Sequence, residues 1–345
     1  KSDPLAPALY VFGDSLVDNG NNNLLPTLAR ANYAPYGVGF HGRVPLGRFN
    51  DGKTFADFLG LGCPFPPPYA GQHNPNYALT GYNYASAAGG ILPETGSRLG
   101  KCYSFNEQID MFEQTIELQM SQIFKDSTQL SKHLPKSIIL VIIGHNDYLN
   151  NYNDPLYLSN KLYKPLQFAQ LLLDALSKQL QRLYDLGVRK VIINEVAPLG
   201  CIPTVARRTR LGAQGTRLMA QGMCDDKVND MVLLYNELLP SMLHNFMSTH
   251  EGSYYVLLNI YPLVYDIITK PDNYGFNDTS NPCCTTWLNG TLLCIPDSIP
   301  CSNPNKYFYW DGYHPSESFY SLLISRSVYG SSVCSPINIK QLVEV

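Results

Sequence analysis

The sequence predicts an α/β fold built around a mainly parallel, five-stranded sheet. Short apolar, β-branched runs alternate along the 345 residues with segments of helical periodicity, which is the pattern of parallel strands joined by helices. Apolar residues make up 45% of the chain and charged residues only 15%, so a large core can be buried. The longest uncharged apolar runs, such as 138–144, have the length of strands and are too short to span a membrane.

The candidate strands are short runs rich in Val, Ile and aromatic residues. They lie at 8–12, 83–85, 138–143, 190–196 and 254–259. Because these runs are separated by long segments and not by tight turns, most of the pairings are expected to be parallel.

Three apolar stripes with helical spacing lie between the strands. The first runs through Ile109, Phe112 and Ile116, the second covers 168–183 with Gly187 as a C-terminal cap, and the third covers 228–242. We interpret these stripes as faces that pack on the core, not as cofactor-binding segments.

Neither helical nor strand periodicity is found in three segments, which are 37–51, the proline-rich 63–75, and 271–305. Long irregular stretches in a compact domain are typically functional or cross-linked loops. None has the composition of a flexible linker, so we expect residues 1–345 to form a single domain with long, disulfide-stapled loops.

The charge and the cysteines restrict the class of protein. A net charge of −3 gives no basic surface for nucleic acid, so no nucleic-acid partner is expected. Four of the nine cysteines, Cys283, Cys284, Cys294 and Cys301, crowd into one loop. The adjacent Cys283 and Cys284 do not match zinc-ligand spacing, so disulfides are favoured and no metal is expected. Cys201 and Cys224 could close another loop, and the odd count leaves at least one free thiol.

Two glycosylation sequons, at Asn277 and Asn289, lie in the same cysteine-rich region. Together with disulfides, they indicate a secreted protein or one of another secretory-pathway compartment such as the vacuole. The chain begins almost directly with a strand, so we expect a leader peptide to have been removed.

Polar clusters follow three of the apolar segments. Ser15 comes just after the first strand, where a hydroxyl would lie at the edge of the sheet, although a helix N-cap is an alternative role. Asn146 follows the third strand and could donate to a developing oxyanion or form an Asx turn. Near the C-terminus, Asp311 precedes His314 by three residues, so that the carboxylate could orient the imidazole, or simply cap a turn.

In this order the clusters resemble the GDSL esterase/lipase family, the plant branch of the SGNH hydrolases. The matching blocks are 10–23 (YVFGDSLVDNGNNN), 83–90 (NYASAAGG), 144–148 (GHNDY) and 311–315 (DGYHP), with 198–201 and Cys283–Cys284 also similar. The resemblance spans 8–328 and implies a three-layer α/β/α sandwich of flavodoxin-like type.

The resemblance also implies a role for each matching residue. Ser15 would be the nucleophile, His314 its base and Asp311 the residue that orients the base. The oxyanion hole would consist of the Ser15 N–H, the Asn146 side chain and the N–H of Gly89, with Gly90 as the second choice. His145 stands at a variable position of the family and is expected to be exposed, whereas Asp14 and Asp147 are expected to be structural.

The implied activity is hydrolysis of a small-molecule or lipid ester through an acyl-enzyme, without a cofactor. Three other functions stay open at this point. An acyltransferase would pass the acyl group to an alcohol, a metallophosphoesterase would use the same clusters as ligands, and a non-catalytic glycoprotein would only bind. A monomer is the default expectation, and the abundant aromatic residues do not reveal the acyl or alcohol specificity.

Overall fold

The central sheet contains five strands. A computed structural model describes residues 4–71, 74–124, 126–211 and 224–345. Its strands are β1 (Leu9–Gly13), β2 (Ile138–Ile142), β3 (Lys190–Asn194), β4 (Tyr254–Leu258), β5 (Asp278–Pro282), β6 (Tyr307–Tyr309) and β7 (Cys334–Ser335). The central sheet has the order β1-β2-β3-β4-β7, in which the first four strands are parallel and β7 is antiparallel to β4. β5 and β6 form a separate two-stranded sheet.

Four of the five predicted strands are confirmed, but the segment 83–85 is not a strand of the sheet. Asn83 forms only isolated bridges, to Val11 on one side and Pro68 on the other. Its side chain donates to the Val17 carbonyl and accepts from the Ala85 N–H, which turns the backbone out of a regular ladder. The fifth strand is β7, which is too short to give a sequence signal.

The α-helices cover both faces of this sheet. They are α1 (Phe55–Leu59), α2 (Tyr77–Thr80), α3 (Phe105–Thr115), α4 (Ser121–Ile123), α5 (Ser127–His133), α6 (His145–Asp147), α7 (Ser159–Leu162), α8 (Pro165–Asp185), α9 (Pro203–Leu211), α10 (Asp226–Thr249), α11 (Ile260–Thr269), α12 (Glu317–Ser327) and α13 (Ile339–Glu344). The three predicted helices correspond to α3, α8 and α10. Pro165 starts α8, where its missing N–H costs nothing, and Gly187 follows the end of α8 with φ +102°.

Alternate residues of each strand point to opposite faces of the sheet, which produces three layers. Tyr10, Phe12 and Val141 pack with α3, α8 and α10, whereas Val11 and Leu140 pack with α1, α11, α12 and α13. The predicted α/β/α sandwich with a mainly parallel five-stranded sheet is therefore confirmed. The second cluster of buried side chains includes residues from Ala6 near the start of the chain to Leu342 near its end.

Three disulfides close the long loops, and they join Cys201 to Cys224, Cys283 to Cys301 and Cys284 to Cys294. Most of the residues between Cys201 and Cys224 lie outside the described part of the chain. Cys63, Cys102 and Cys334 are free thiols. The prediction that the cluster at 283–301 forms disulfides is thus confirmed, and its long loop also contains β5.

Candidate active site

The predicted polar clusters meet at the carboxyl edge of the sheet. β1 leads directly into Ser15, and β2 leads through Gly144 into Asn146. Gly13 is required at the end of β1 because a Cβ there would lie 2.2 Å from the Ile142 carbonyl oxygen. The close packing of β1 on β2 thus places the two following loops side by side.

Ser15 and His314 are in direct contact, although 299 positions separate them in the chain. The Ser15 Oγ lies 2.8 Å from the His314 Nε2. On the other side of the ring, the His314 Nδ1 lies 2.9 and 2.8 Å from the two carboxylate oxygens of Asp311. Ser15 does not cap a helix. The arrangement leaves Nε2 free to accept the hydroxyl proton of Ser15, because Asp311 holds the other ring proton on Nδ1.

Asp311 is fully buried and its carboxylate accepts three hydrogen bonds besides that from His314. The backbone N–H groups of Tyr313 and His314 each donate at 2.8 Å, and the Tyr36 hydroxyl donates at 2.6 Å. Burial and, next, the charge of Asp311 raise the pKa of Tyr36 well above its usual value, so this hydroxyl remains a donor. Tyr36 lies outside every block of the resemblance, so its role could not be found from the sequence.

The side chain of Asn146 is buried and oriented by two hydrogen bonds. Its Nδ2 donates to the Gly89 carbonyl at 3.0 Å, and its Oδ1 accepts from the Asn150 Nδ2 at 2.7 Å. The first bond uses only one of the two hydrogens on Nδ2, so the other can donate to a ligand.

The structure does not support Gly89 as an oxyanion donor, because its N–H already donates to the Ser86 carbonyl at 3.0 Å. Gly90 is not supported either, since neither glycine lines the cavity beside Ser15. Ala88 does line it, next to Ser15 and Asn146.

The backbone of Ala88 has φ +68°, a conformation that costs a residue with a side chain roughly 1–2 kcal/mol. Neither its N–H nor that of Ser15 donates a hydrogen bond to another described residue. A strained residue with an unused N–H beside a nucleophile is typical of an anion-binding position. Sequence reasoning missed Ala88 because an alanine gives no signal for a positive φ.

The expectation that His145 is exposed is wrong, because only 6% of the residue is accessible. Its Nδ1 lies 3.3 Å from the Asp14 Oδ2, without hydrogen-bond alignment, and its Nε2 accepts from the Ala197 N–H at 3.4 Å. The ring therefore fills the space between the loops after β1, β2 and β3, which the variable position in the motif did not indicate.

Two buried carboxylates hold the loops around the site. Asp18 accepts from the N–H groups of Gly20, Asn21 and Ala87, and Asp147 accepts from those of Ile91 and Leu92 and from the Thr95 hydroxyl. Burial raises the pKa of each carboxyl to about 6, against the opposing effect of these donors. Asp147 thus has a structural position, as predicted, and so has Asp14, which accepts from the Leu16 N–H.

A cavity of about 490 Å³ opens beside Ser15. Among the described residues that line the cavity, the charged and imidazole side chains are those of Asp14, His145 and His314. Most of the other lining residues are aliphatic or aromatic. Such a volume and lining are typical of sites for small organic ligands.

No metal site accompanies these residues. Among residues 4–71, 74–124, 126–211 and 224–345, no group of three His, Cys, Asp or Glu side chains could hold an ion.

No described helix has the length and apolar character needed to cross a bilayer. The side chains of Asn277 and Asn289, the two sequon asparagines, are exposed.

Comparison with known proteins finds a matching family and several similar plant proteins. A family model described as GDSL-like lipase/acylhydrolase matches residues 9–326. A GDSL esterase/lipase of Arabidopsis thaliana is 43% identical over 97% of this chain and 87% of its own length. GDSL esterase/lipase 7 of the same organism is 42% identical over 99% of this chain and 93% of its own.

Proposed function

The chain belongs to the GDSL-like lipase/acylhydrolase family, and on this basis we propose that it hydrolyses carboxylic esters with Ser15 as nucleophile, His314 as general base and Asp311 as the residue that orients the base. The observation that carries this proposal is the contact of 2.8 Å between the Ser15 Oγ and the His314 Nε2. An alcohol hydroxyl is a weak nucleophile until a neighbouring base accepts its proton, and the contact with the His314 Nε2 supports this role for His314.

The reaction proceeds in two halves. In the first, the Ser15 Oγ attacks the ester carbonyl while its proton moves to the His314 Nε2. The tetrahedral intermediate collapses as His314 donates that proton to the leaving alcohol oxygen, which leaves an acyl-enzyme on Ser15. In the second half, His314 takes a proton from a water molecule that attacks the acyl carbonyl. The second tetrahedral intermediate collapses as His314 returns that proton to the Ser15 Oγ, and the acid and free Ser15 are released.

The developing oxyanion requires hydrogen-bond donors that are fixed before the reaction. We assign this role to the Ser15 N–H, the Ala88 N–H and the Asn146 Nδ2, in place of the Gly89 expected from the sequence. The free N–H groups of Ser15 and Ala88 and the two bonds that orient Asn146 support the assignment. Loss of one such donor typically costs about 2.7–4 kcal/mol of transition-state stabilisation.

We further propose that the protein is secreted and carries N-linked glycans at Asn277 and Asn289. Three disulfides imply folding in an oxidising compartment, and both asparagine side chains are accessible to the glycosylation machinery. Treatment of the secreted protein with an N-glycosidase should lower its mass, and the shift should disappear in a variant with both asparagines changed to Gln.

Ester hydrolysis by purified variants tests the proposed function. p-Nitrophenyl acetate and butyrate should be hydrolysed by the native protein, and Ser15→Ala and His314→Ala should each lose activity by at least about 10³-fold. Addition of an alcohol acceptor should leave the free acid as the main product. Full activity in Ser15→Ala with unchanged folding would exclude the mechanism, and an acylated acceptor as the main product would indicate a transferase.

A further inference from the structure

We infer that the buried end of the cavity beside Ser15 binds the acyl chain of the ester, and that it selects apolar chains longer than acetyl. This inference rests on the proposed function, since it specifies which ester Ser15 attacks. The residues that line this end lie outside the blocks of the resemblance.

The cavity has an open side and a closed side. The open side is lined by partly or fully exposed residues, such as Leu28 and Trp287, which are 76% and 52% exposed. The closed side, which we call the inner arm, is lined by Leu258, Ile260, Val264, Phe308, Phe319 and Leu323, all of which are at most 6% exposed. The inner arm thus lies between the end of β4 and the helices α11 and α12, beneath the protein surface.

The end of the cavity next to Ser15 and the inner arm also differ in polarity. The three lining side chains that are charged or imidazoles, Asp14, His145 and His314, gather next to Ser15. The named residues of the inner arm are all hydrocarbon, and the buried Tyr309 and Tyr320 beside them add no charge. Asn194, a polar residue of the lining, already accepts from the Ile143 N–H. A chain that enters the inner arm therefore meets mainly apolar surface, and a charged group there would lose its water without gaining an opposite charge.

The order of events in the reaction decides which half of the ester occupies the inner arm. After the first half-reaction the alcohol must leave and a water molecule must reach the acyl carbonyl. If the alcohol occupied a closed arm, it would have to leave past the acyl group bound to Ser15. The acyl group, in contrast, stays attached to Ser15 until the last step, so it can occupy the closed side while the open side exchanges alcohol for water.

Burial of apolar surface gives the expected size of the effect. Each methylene that enters the inner arm should raise kcat/KM about threefold to fourfold, because each buried methylene stabilises the complex. We therefore expect kcat/KM to rise steeply from p-nitrophenyl acetate to the hexanoate and octanoate. At the palmitate kcat/KM should rise no further, because a cavity of about 490 Å³ must also hold the ester group.

Variants of the inner arm test its assignment. Val264→Phe should fill the arm and lower the ratio of octanoate to acetate activity by at least about tenfold. Leu323→Ala should enlarge the arm and shift the preferred chain towards the decanoate or dodecanoate. Leu263→Phe is the matched control, since Leu263 is a buried residue of the same helix that does not line the cavity, and it should leave the ratio unchanged.

The activity ratio separates this inference from the proposed function and from loss of folding, since both esters are measured on the same sample. A flat profile from acetate to octanoate, or a ratio unaffected by Val264→Phe and Leu323→Ala, would overturn the inner arm as the acyl site while Ser15-dependent acetate hydrolysis stands. Acetates of longer alcohols provide a second readout. If Val264→Phe changed the preference for the alcohol chain and not for the acyl chain, the orientation would be reversed and the inference wrong.

Discussion

Replacement of Asn146 by Ala should slow the chemical step far more than it weakens binding. The Asn146 Nδ2 has one hydrogen left for the oxyanion after its bond to the Gly89 carbonyl. Loss of a donor of this kind costs about 2.7–4 kcal/mol of transition-state stabilisation, which corresponds to a decrease in kcat of about 10²–10³-fold. Because the ground-state carbonyl interacts weakly with this donor, KM for p-nitrophenyl butyrate should change by less than about threefold.

The same substitution also removes two structural hydrogen bonds, so stability must be measured alongside activity. Each bond contributes roughly 0.5–1.5 kcal/mol, and the melting temperature of Asn146→Ala should therefore fall by several degrees. Asn150→Ala is the control, because it removes only the bond to the Asn146 Oδ1 and should lower kcat by at most about tenfold. A kcat of Asn146→Ala within about threefold of native, or a loss confined to KM, would refute the oxyanion role.

The remaining predictions concern the base, a buried carboxyl and the cysteines. Asp311→Asn should lower kcat by about 10⁴-fold in steady-state assays, because an amide no longer holds the proton on the His314 Nδ1; activity within tenfold of native would contradict this role. Burial raises the pKa of Glu195 to about 7, so the folded protein favours the uncharged carboxyl. The stability that this carboxyl contributes is therefore fully present below about pH 4 and is lost as the pH rises through 7. In thermal unfolding, Glu195→Gln should therefore match native protein near pH 5 and exceed its free energy of unfolding by about 1–2 kcal/mol at pH 8, and an equal difference at both pH values would exclude this linkage. Denatured but unreduced protein should show three thiols with Ellman's reagent, whereas native protein should show at most the half-buried Cys63, since burial raises the pKa of Cys102 to about 11 and that of Cys334 to about 12. A count of one or nine thiols in the denatured protein would contradict the disulfide pairing.

The layers of the fold could be predicted because they depend on patterns that are local in the sequence. The strands β1 to β4 consist mostly of buried apolar residues, and α8 and α10 have continuous apolar stripes. The strand β7 escaped prediction because it contains two residues, and its place depends on pairing with β4. The segment 83–85 has the composition of a strand, but the side-chain hydrogen bonds of Asn83 interrupt the ladder.

The candidate site could be predicted as far as its residues carry chemistry in their side chains. Ser15 and Asn146 were identified from their types and their places after strands, and Asp311 and His314 from their types and their spacing of three residues. Ala88 was not identified, because the role proposed for it belongs to its backbone N–H and depends on a positive φ that the sequence did not indicate.

Other features of the site depend on contacts between distant parts of the chain. Tyr36 reaches Asp311 across 275 positions, and His145 is buried by loops that follow three different strands. The inner arm is a space between helices, so no residue pattern in the sequence predicts it. Such features require coordinates, because the sequence separates the groups that form them.

The most direct test of the account is covalent labelling of the folded protein with a fluorophosphonate, followed by mass spectrometry of the digested protein. We expect a single adduct on the peptide that contains Ser15, formed at least about 10³-fold more slowly in His314→Ala. An adduct on another residue, or labelling of His314→Ala at the native rate, would show that Ser15 and His314 do not act together.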